Sequence, residues 1–329
     1  MAVTPLRPNA PADQAHDERG RAATTPSEIP ARGWKDNLYR IYQNIADDRI
    51  VAMAASVTFY AILALFPAIA ALVALYGLFS DPRSIASHLA MLSGVLPGGA
   101  MQVLGDEINR VAAQANSRLG LAFLIGLGTA LWSANAGIKS LFDALNIVYK
   151  EPEKRNLFWL NATSLAFTVS MVLFALVALM AMVALPPALD YFGVSSWAEQ
   201  ITTVGRWPAL LIVVIFGLSC LYRFGPSRAE PQWRWLSWGS CFAAIAWLVV
   251  SLLFTWYAAH FGSYNKTYGS LGAIVGFMVW IWLSNIVILL GAEINAETEH
   301  QTARDTTTGK PKPLGQRRAK MADTVGRSS

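Results

Sequence analysis

Charge is the scarcest commodity in this chain of 329 residues, of which 14% are Asp, Glu, Lys or Arg while 54% are hydrophobic. That balance excludes an ordinary soluble domain, whose surface needs far more charge, and points to a polytopic membrane protein. Cysteine is nearly absent too. Cys220 and Cys241 both lie inside apolar runs, which suits small buried hydrophobes and argues against a disulfide framework. Histidine occurs four times, at 16, 88, 260 and 300, and no G-x-S-x-G, P-loop or H-E-x-x-H motif is present. The first fifty residues hold no short apolar run followed by a small-residue cleavage site, so the first span is expected to be an uncleaved anchor.

What is present is a series of uncharged runs. They cover 51–79, 119–138, 157–185, 207–222, 236–259 and 268–292, and they predict an all-α bundle of six transmembrane helices. The fourth is the shortest, reaching only about 24 Å as a helix unless it begins before Arg206. The last is closed by Glu293, which is expected at the carboxyl end of its helix, where the macrodipole disfavours an acid. Orientation follows from lysine and arginine. The N-terminal tail, the loops after spans two and four, and the C-terminal tail hold 7, 4, 3 and 7 of them, against 3, 1 and 1 in the other loops. A division of 21 to 5 places both termini in the cytosol.

Residues 1–33 are proline-rich and polar and are predicted disordered, as is the basic tail 301–329, a solvated segment attracted to anionic lipid. No aromatics are interleaved in that tail, so no nucleic acid partner is expected. From Trp34 to Ile50 the residues Trp34, Leu38, Ile41, Tyr42 and Ile45 recur at helical spacing opposite Lys35, Asp36, Asn44 and Asp48. This predicts either a helix lying on the membrane surface or an ordinary packed amphipathic helix. Between spans one and two, Asp81-Pro82 and Pro97-Gly98-Gly99 punctuate a segment that implies an extra helical pair, serving as packing or as a lid.

Several polar residues run against the grain of a membrane. Asn135, Lys139 and Asp143 share one face of span two, Asn161 begins span three, Arg223 ends span four, and Asn285 and Glu293 lie on one stripe of span six with Leu289 between them. They form a candidate polar route with a cytosolic mouth; the alternative is interhelical hydrogen bonds and headgroup anchors. At the mouth an Arg223–Glu293 bridge is expected, because a guanidinium can hold a carboxylate through two hydrogen bonds, while Lys139 has Asp143 one turn away. Gly269, Gly272 and Gly276 predict a helix-packing groove, the last two as G-x-x-x-G, and Pro67 is a candidate kink in span one. No metal site, catalytic residue or cofactor is expected: two histidines fall on each side of the membrane, so the four cannot converge.

Four sets of residues carry a resemblance to the YihY/virulence factor BrkB family of bacterial inner-membrane proteins, some members of which have been named ribonuclease BN. They are Ala54-Ala55-Ser56 through Phe59-Tyr60 to Leu65-Phe66-Pro67; Ser140 to Asn146 with Tyr149; Tyr222-Arg223-Phe224 with Pro226; and Tyr268 to Gly272 with Trp280 and Gly291-Ala292-Glu293. The resemblance covers roughly 35–300 and implies a six-span protein of the cytoplasmic membrane. It further implies transport of solutes or lipid-related material, or envelope resistance. Two readings follow: a transporter or translocase with membrane lipids and a small solute or lipid substrate as partners, or a non-transporting envelope scaffold.

Overall fold

The computed structural model describes residues 18–76, 104–110, 121–191, 195–261 and 270–328. Among them the fold is helical: α1 (Ala31–Asp47), α2 (Ile50–Tyr76), α3 (Leu121–Val148), α4 (Leu157–Tyr191), α5 (Ser195–Phe224), α6 (Ser237–Phe261), α7 (Ser270–Gln301) and a short α8 (Lys320–Asp323). The one β interaction among these residues is an isolated bridge between Pro231 and Thr307. Among the described residues four helices are long and apolar enough to cross a membrane, namely α2, α4 over Leu157–Val177, α6 over Ser237–Tyr257 and α7 over Ile274–Gln301. α5 counts among them only as a shorter apolar helix over Leu211–Phe224, but the helix itself starts at Ser195 and measures 30 residues, well before the boundary drawn from hydropathy. Pro67 lies half-buried inside an unbroken α2.

All six long helices bring one end to a common polar cap. Lys150, just past α3, pairs with Asp48 at the start of α2, and Ser227, just past α5, donates its backbone N–H to Asn146 at 2.7 Å. Lys154 N–H, ahead of α4, reaches the Ser227 hydroxyl at 2.9 Å. Gly239 N–H in the first turn of α6 is satisfied by the Asn295 side-chain Oδ1 of α7 at 2.9 Å, which answers one of the donors that a helix start leaves unpaired. The α3 terminus closes through a left-handed Lys150 (φ 56°), with Glu151 N–H bonded to Asn146 O and Lys150 N–H to Ile147 O. This is the Schellman pattern with lysine where glycine is usual.

The main core sits beneath the cap. Ile50, Ala54 and Val57 of α2 meet Phe142 and Leu145 of α3, Tyr222 of α5, and Leu289, Ala292 and Ala296 of α7. A smaller cluster at the far half joins Ile69, Val73 and Tyr76 to Ile108 and Leu176. Ile108 belongs to the helical residues 104–110, which are the described part of the segment expected to hold the extra helical pair. Outward faces stay apolar, as Leu63, Leu173, Ile245, Leu252 and Val275 show, the pattern of helices solvated by lipid.

The tightest helix crossing is not where G-x-x-x-G pointed. A Cβ on Gly276 would meet only the Phe254 ring edge at 3.9 Å, whereas one on Gly239 would stand 2.0 Å from Gly291 O, and one on Gly291 would stand 2.7 Å from Gly239 O. The α6–α7 backbones touch at Gly239 and Gly291. Gly269 and the surroundings of Gly272 lie outside the described residues.

Two further expectations are corrected. The chain from residue 18 to 30 is packed rather than disordered, with Ala23 and Ile29 against Trp235. The basic tail after Gln301 is folded as well, burying Thr302, Thr306, Arg317, Met321 and Ala322. Composition misleads here because these segments do not form a core of their own; they cover polar groups that the last turns of α7 present.

Candidate functional site

Glu293 is not at the end of its helix. α7 continues for two more turns to Gln301, and Glu293, Asn295, Glu297, Thr298, Glu299 and Gln301 are all buried. A helix can bury such a run only if partners satisfy it. The partners come from the chain termini and from the loop between α5 and α6. Arg40 of α1 pairs with Glu297 and donates to Gln301 Oε1 at 2.8 Å, and Arg21 donates to the carbonyls of Gln301 and Gly326 at 3.1 and 2.6 Å. Arg228, after α5, clamps Glu299 through two bonds of 2.9 and 2.8 Å while lying 4.1 Å over the Tyr149 ring. α1 is consequently inverted relative to a simple amphipathic packing helix. Its polar Asp36, Asn37 and Arg40 are inside and its apolar Leu38 and Tyr42 are 61% and 76% exposed.

The expected Arg223–Glu293 bridge does not form. Arg223 turns to the loop that returns over it, pairing with Glu230 at 2.7 Å, donating to Pro231 O and stacking 4.7 Å from the Trp233 ring. Glu293 instead accepts from the Asn44 amide at 2.5 Å, and its second oxygen is buried without a partner. Arg223 lies in the last turn of α5 while Glu293 lies two turns inside α7, and each finds its partner in a segment outside the apolar runs. Lys139 bonds Asn161 at 3.1 Å rather than Asp143, which is exposed. Asn161 is itself tied to Leu157 O at 2.8 Å. Asn285, Leu289 and Glu293 all face inward, and Asn285 is satisfied by the Thr58 hydroxyl at 3.0 Å. Asn135, fully buried, accepts a long 3.4 Å bond from Thr168 and leaves its amide nitrogen unpartnered. These residues are spread along several contacts and do not converge on one chamber.

A chamber does exist beside them. A cavity of about 550 Å³ opens at the capped end between the start of α4, the end of α5 and the C-terminal segment. Its charged lining is Lys154, Arg155, Arg223, Arg228, Lys312 and Arg318 against the single acid Glu230, with Ser227 and Thr163 supplying hydroxyls and Phe224 and Pro226 an apolar wall. Arg155 is held in place by Glu153 and by the carbonyl of Gly225 at 2.7 Å. Burial works against charge on Glu153, but the bonds from Arg155, Asn146 and Ser227 outweigh it and hold its carboxyl at about 2. The exposed Leu157, Phe158 and Trp159 lie at the start of α4 on the same rim, which is where aromatic belts mark a membrane interface.

Of the candidate route residues only Arg223 lines this cavity, together with Thr163 two residues beyond Asn161. In the sequence Lys154, Arg155 and Arg228 read as orientation signals, and Lys312 and Arg318 as part of a solvated basic tail attracted to anionic lipid. The acids that neutralise some of them were visible nearby in the chain, but the return of the C-terminal segment to the same place was not. Among the described residues no three His, Cys, Asp or Glu side chains group as metal ligands.

The chain is 32% identical to the ribonuclease-like protein YfkH of Bacillus subtilis over 251 residues, covering 74% of this chain and 88% of that one. It is 24% identical to a UPF0761 membrane protein of Methylibium petroleiphilum, covering 84% of this chain and 66% of that one. It is 26% identical to another of Pseudoalteromonas translucida, covering 79% and 85%. No solved structure matches. The Virulence factor BrkB family matches residues 41–315, and the chain is therefore a membrane protein belonging to that family.

Proposed function

We propose that this protein is a six-span component of the bacterial cytoplasmic membrane, with both termini cytosolic, that transports or translocates an anionic solute or lipid-related envelope material. The observation that carries the reading is the basic cavity of about 550 Å³ at the capped end, lined by six lysine and arginine residues and one acid. Two of the six, Lys312 and Arg318, have no ion-pair partner among the described residues, and unneutralised cations on a cavity wall concentrate anions. The gathering of all six helix ends at one cap supports an even number of crossings. α3 and α5, at 28 and 30 residues, are about 42 and 45 Å long and can span about 30 Å of hydrocarbon although they carry polar groups. The cap is built from the four segments that hold 21 of the 26 lysines and arginines, which supports the cytosolic side for it. The exposed Leu38 and Tyr42 of α1 support a seat in the headgroup layer.

The scaffold reading draws on a specific observation too: Asn285–Thr58 and Lys139–Asn161 are interhelical bonds that close rather than open the bundle. Flux decides between them. Purified full-length protein in liposomes is expected to pass anionic solutes or to move labelled anionic lipid between leaflets, with loss on Arg155→Gln. Liposomes that show neither movement above protein-free controls establish the scaffold. A reporter fused after Ser329 that scores as external overturns the orientation.

A further inference from the structure

The six cations of the cavity are not equivalent. Lys154 is paired with Glu151 at 2.5 Å, Arg155 with Glu153 at 2.8 Å, Arg223 with Glu230 at 2.7 Å and Arg228 with Glu299 at 2.8 Å. Lys312 and Arg318 have no acid or hydrogen-bond acceptor for their side-chain nitrogens among the described residues, and both are exposed on the cavity wall. The cavity therefore carries an excess of two positive charges, and both come from the C-terminal segment.

Their backbones are pinned even though their side chains are free. Lys312 N–H donates to Asp305 at 2.7 Å, and Lys312 O accepts from Arg317 at 3.1 Å. The Arg317 guanidinium is buried and also donates to the carbonyls of Ala303, Arg304 and Ala322. Arg318 O accepts from Ala229 N–H at 3.1 Å, and Arg318 takes a left-handed conformation (φ 61°) that only glycine adopts readily. Arg317 thus serves as an anchor that fixes one free cation on each side of itself at the cavity rim. A fixed backbone with an unneutralised head is what an anion site requires, because little is left to order when the ligand arrives.

We infer that this cavity is a phosphate-group site, in which Lys312 and Arg318 hold the phosphoryl oxygens of an organic phosphate, whether a soluble phosphate ester or the headgroup of an anionic phospholipid. Two cations match the charge of about −1.5 to −2 that a phosphate monoester carries at neutral pH, whereas a carboxylate would leave one cation unmatched. The guanidinium offers a planar pair of donors and the ammonium a point charge, the combination that recognises tetrahedral oxyanions. The Ser227 and Thr163 hydroxyls line the same space as neutral hydrogen-bonding groups, and Phe224 and Pro226 face the organic part. The volume of about 550 Å³ exceeds what bare phosphate needs, so the ligand has a body attached. This inference rests on the proposed role of the cavity in anion transport, but it is tested by binding alone.

The test uses full-length protein in maltoside detergent, titrated with inorganic phosphate, glycerol 3-phosphate, glycerol and acetate at constant ionic strength. The same protein is also placed in nanodiscs of phosphatidylcholine with or without phosphatidic acid. Saturable calorimetric binding of glycerol 3-phosphate identifies a soluble ester; binding confined to phosphatidic acid discs, read as a rise in melting temperature, identifies a lipid headgroup. In either arm Lys312→Gln and Arg318→Gln are each expected to weaken binding about tenfold or more, the loss of one charge-assisted hydrogen-bond set. The ligand-free melting temperature should stay unchanged, because both side chains are exposed. Lys312→Arg and Arg318→Lys should retain most of the affinity. Acetate binding as tightly as the phosphates, affinity untouched by the two glutamine variants, or no saturable binding in either arm overturns the inference. Flux in liposomes without phosphate binding defeats this inference alone, and binding without flux defeats the transport reading alone.

Discussion

The pair formed by Arg228 and Glu299 is the sharpest probe of the cap. Both side chains are fully buried, two nitrogen–oxygen contacts of 2.8 and 2.9 Å join them, and the Thr306 hydroxyl adds a bond to Glu299 at 3.0 Å. Neutralising one member leaves the other as an unpaired charge away from water. Breaking a buried pair in that way costs about 3–5 kcal/mol, while replacing both members with apolar groups of similar volume is often neutral. Glu299→Gln and Arg228→Met should each lower the melting temperature of the detergent-solubilised protein by on the order of 10 °C, taking about 2–4 °C per kcal/mol. Arg228→Met combined with Glu299→Leu should recover most of that loss, short of about 1 kcal/mol for the stranded Thr306 hydroxyl. Thermal unfolding followed by intrinsic tryptophan fluorescence measures all three. Single variants that fall by less than about 2 °C, or a double variant that falls by the sum of the singles, would refute the claim that this pair clamps the α5–α6 loop to α7.

Gly239→Ala and Gly291→Ala should each sharply reduce the amount of folded protein, because the added Cβ would lie 2.0 and 2.7 Å from a facing backbone oxygen; Gly276→Ala, with 3.9 Å to spare, should be tolerated. Equal yields of the three after membrane extraction would dismiss the α6–α7 crossing. Arg223→Gln and Glu293→Gln should lose stability additively, since Arg223 pairs with Glu230 and Glu293 with Asn44; a double variant no worse than either single would show coupling and contradict these contacts. Glu153, held at about 2 in the fold, contributes stability that is complete above the ordinary carboxylate range and is lost as pH falls toward that value. Glu153→Gln should therefore destabilise the protein at pH 7, with the gap from the parent shrinking steadily below about pH 5; a gap that does not depend on pH contradicts the role of its charge.

The membrane-spanning helices were legible because lipid imposes a local rule. A run such as Tyr268–Ala292, with no charged residue, has few places to go but the bilayer, and backbone bonds that must close internally make it helical. The inward stripe of Asn285, Leu289 and Glu293 was legible for the same reason, since period and polarity together select a face. The cap was not. Glu293 through Gln301 look like the polar end of a span, and residues 18–30 and 302–328 look like tails, because composition reports only what a segment can bury by itself. Arg40, Arg228 and Arg317 become buried through acids and carbonyls that lie as much as 287 residues away in sequence, and no local pattern encodes a partner at that distance. Gly239 and Gly291 were likewise unmarked, since a close crossing of two helices is a property of their pair and not of either motif.

What the sequence alone determined is the class of the protein: its helices, their apolar outer faces, and the end of the bundle where lysine and arginine collect. The tertiary structure decided which of those cations are free. Four of the six around the cavity are neutralised by acids brought in from loops and from α7, and Lys312 and Arg318 are not. The physical reason is that a charge acquires its meaning from whatever lies within a few ångströms of it, and in this fold that neighbourhood is assembled from both ends of the chain.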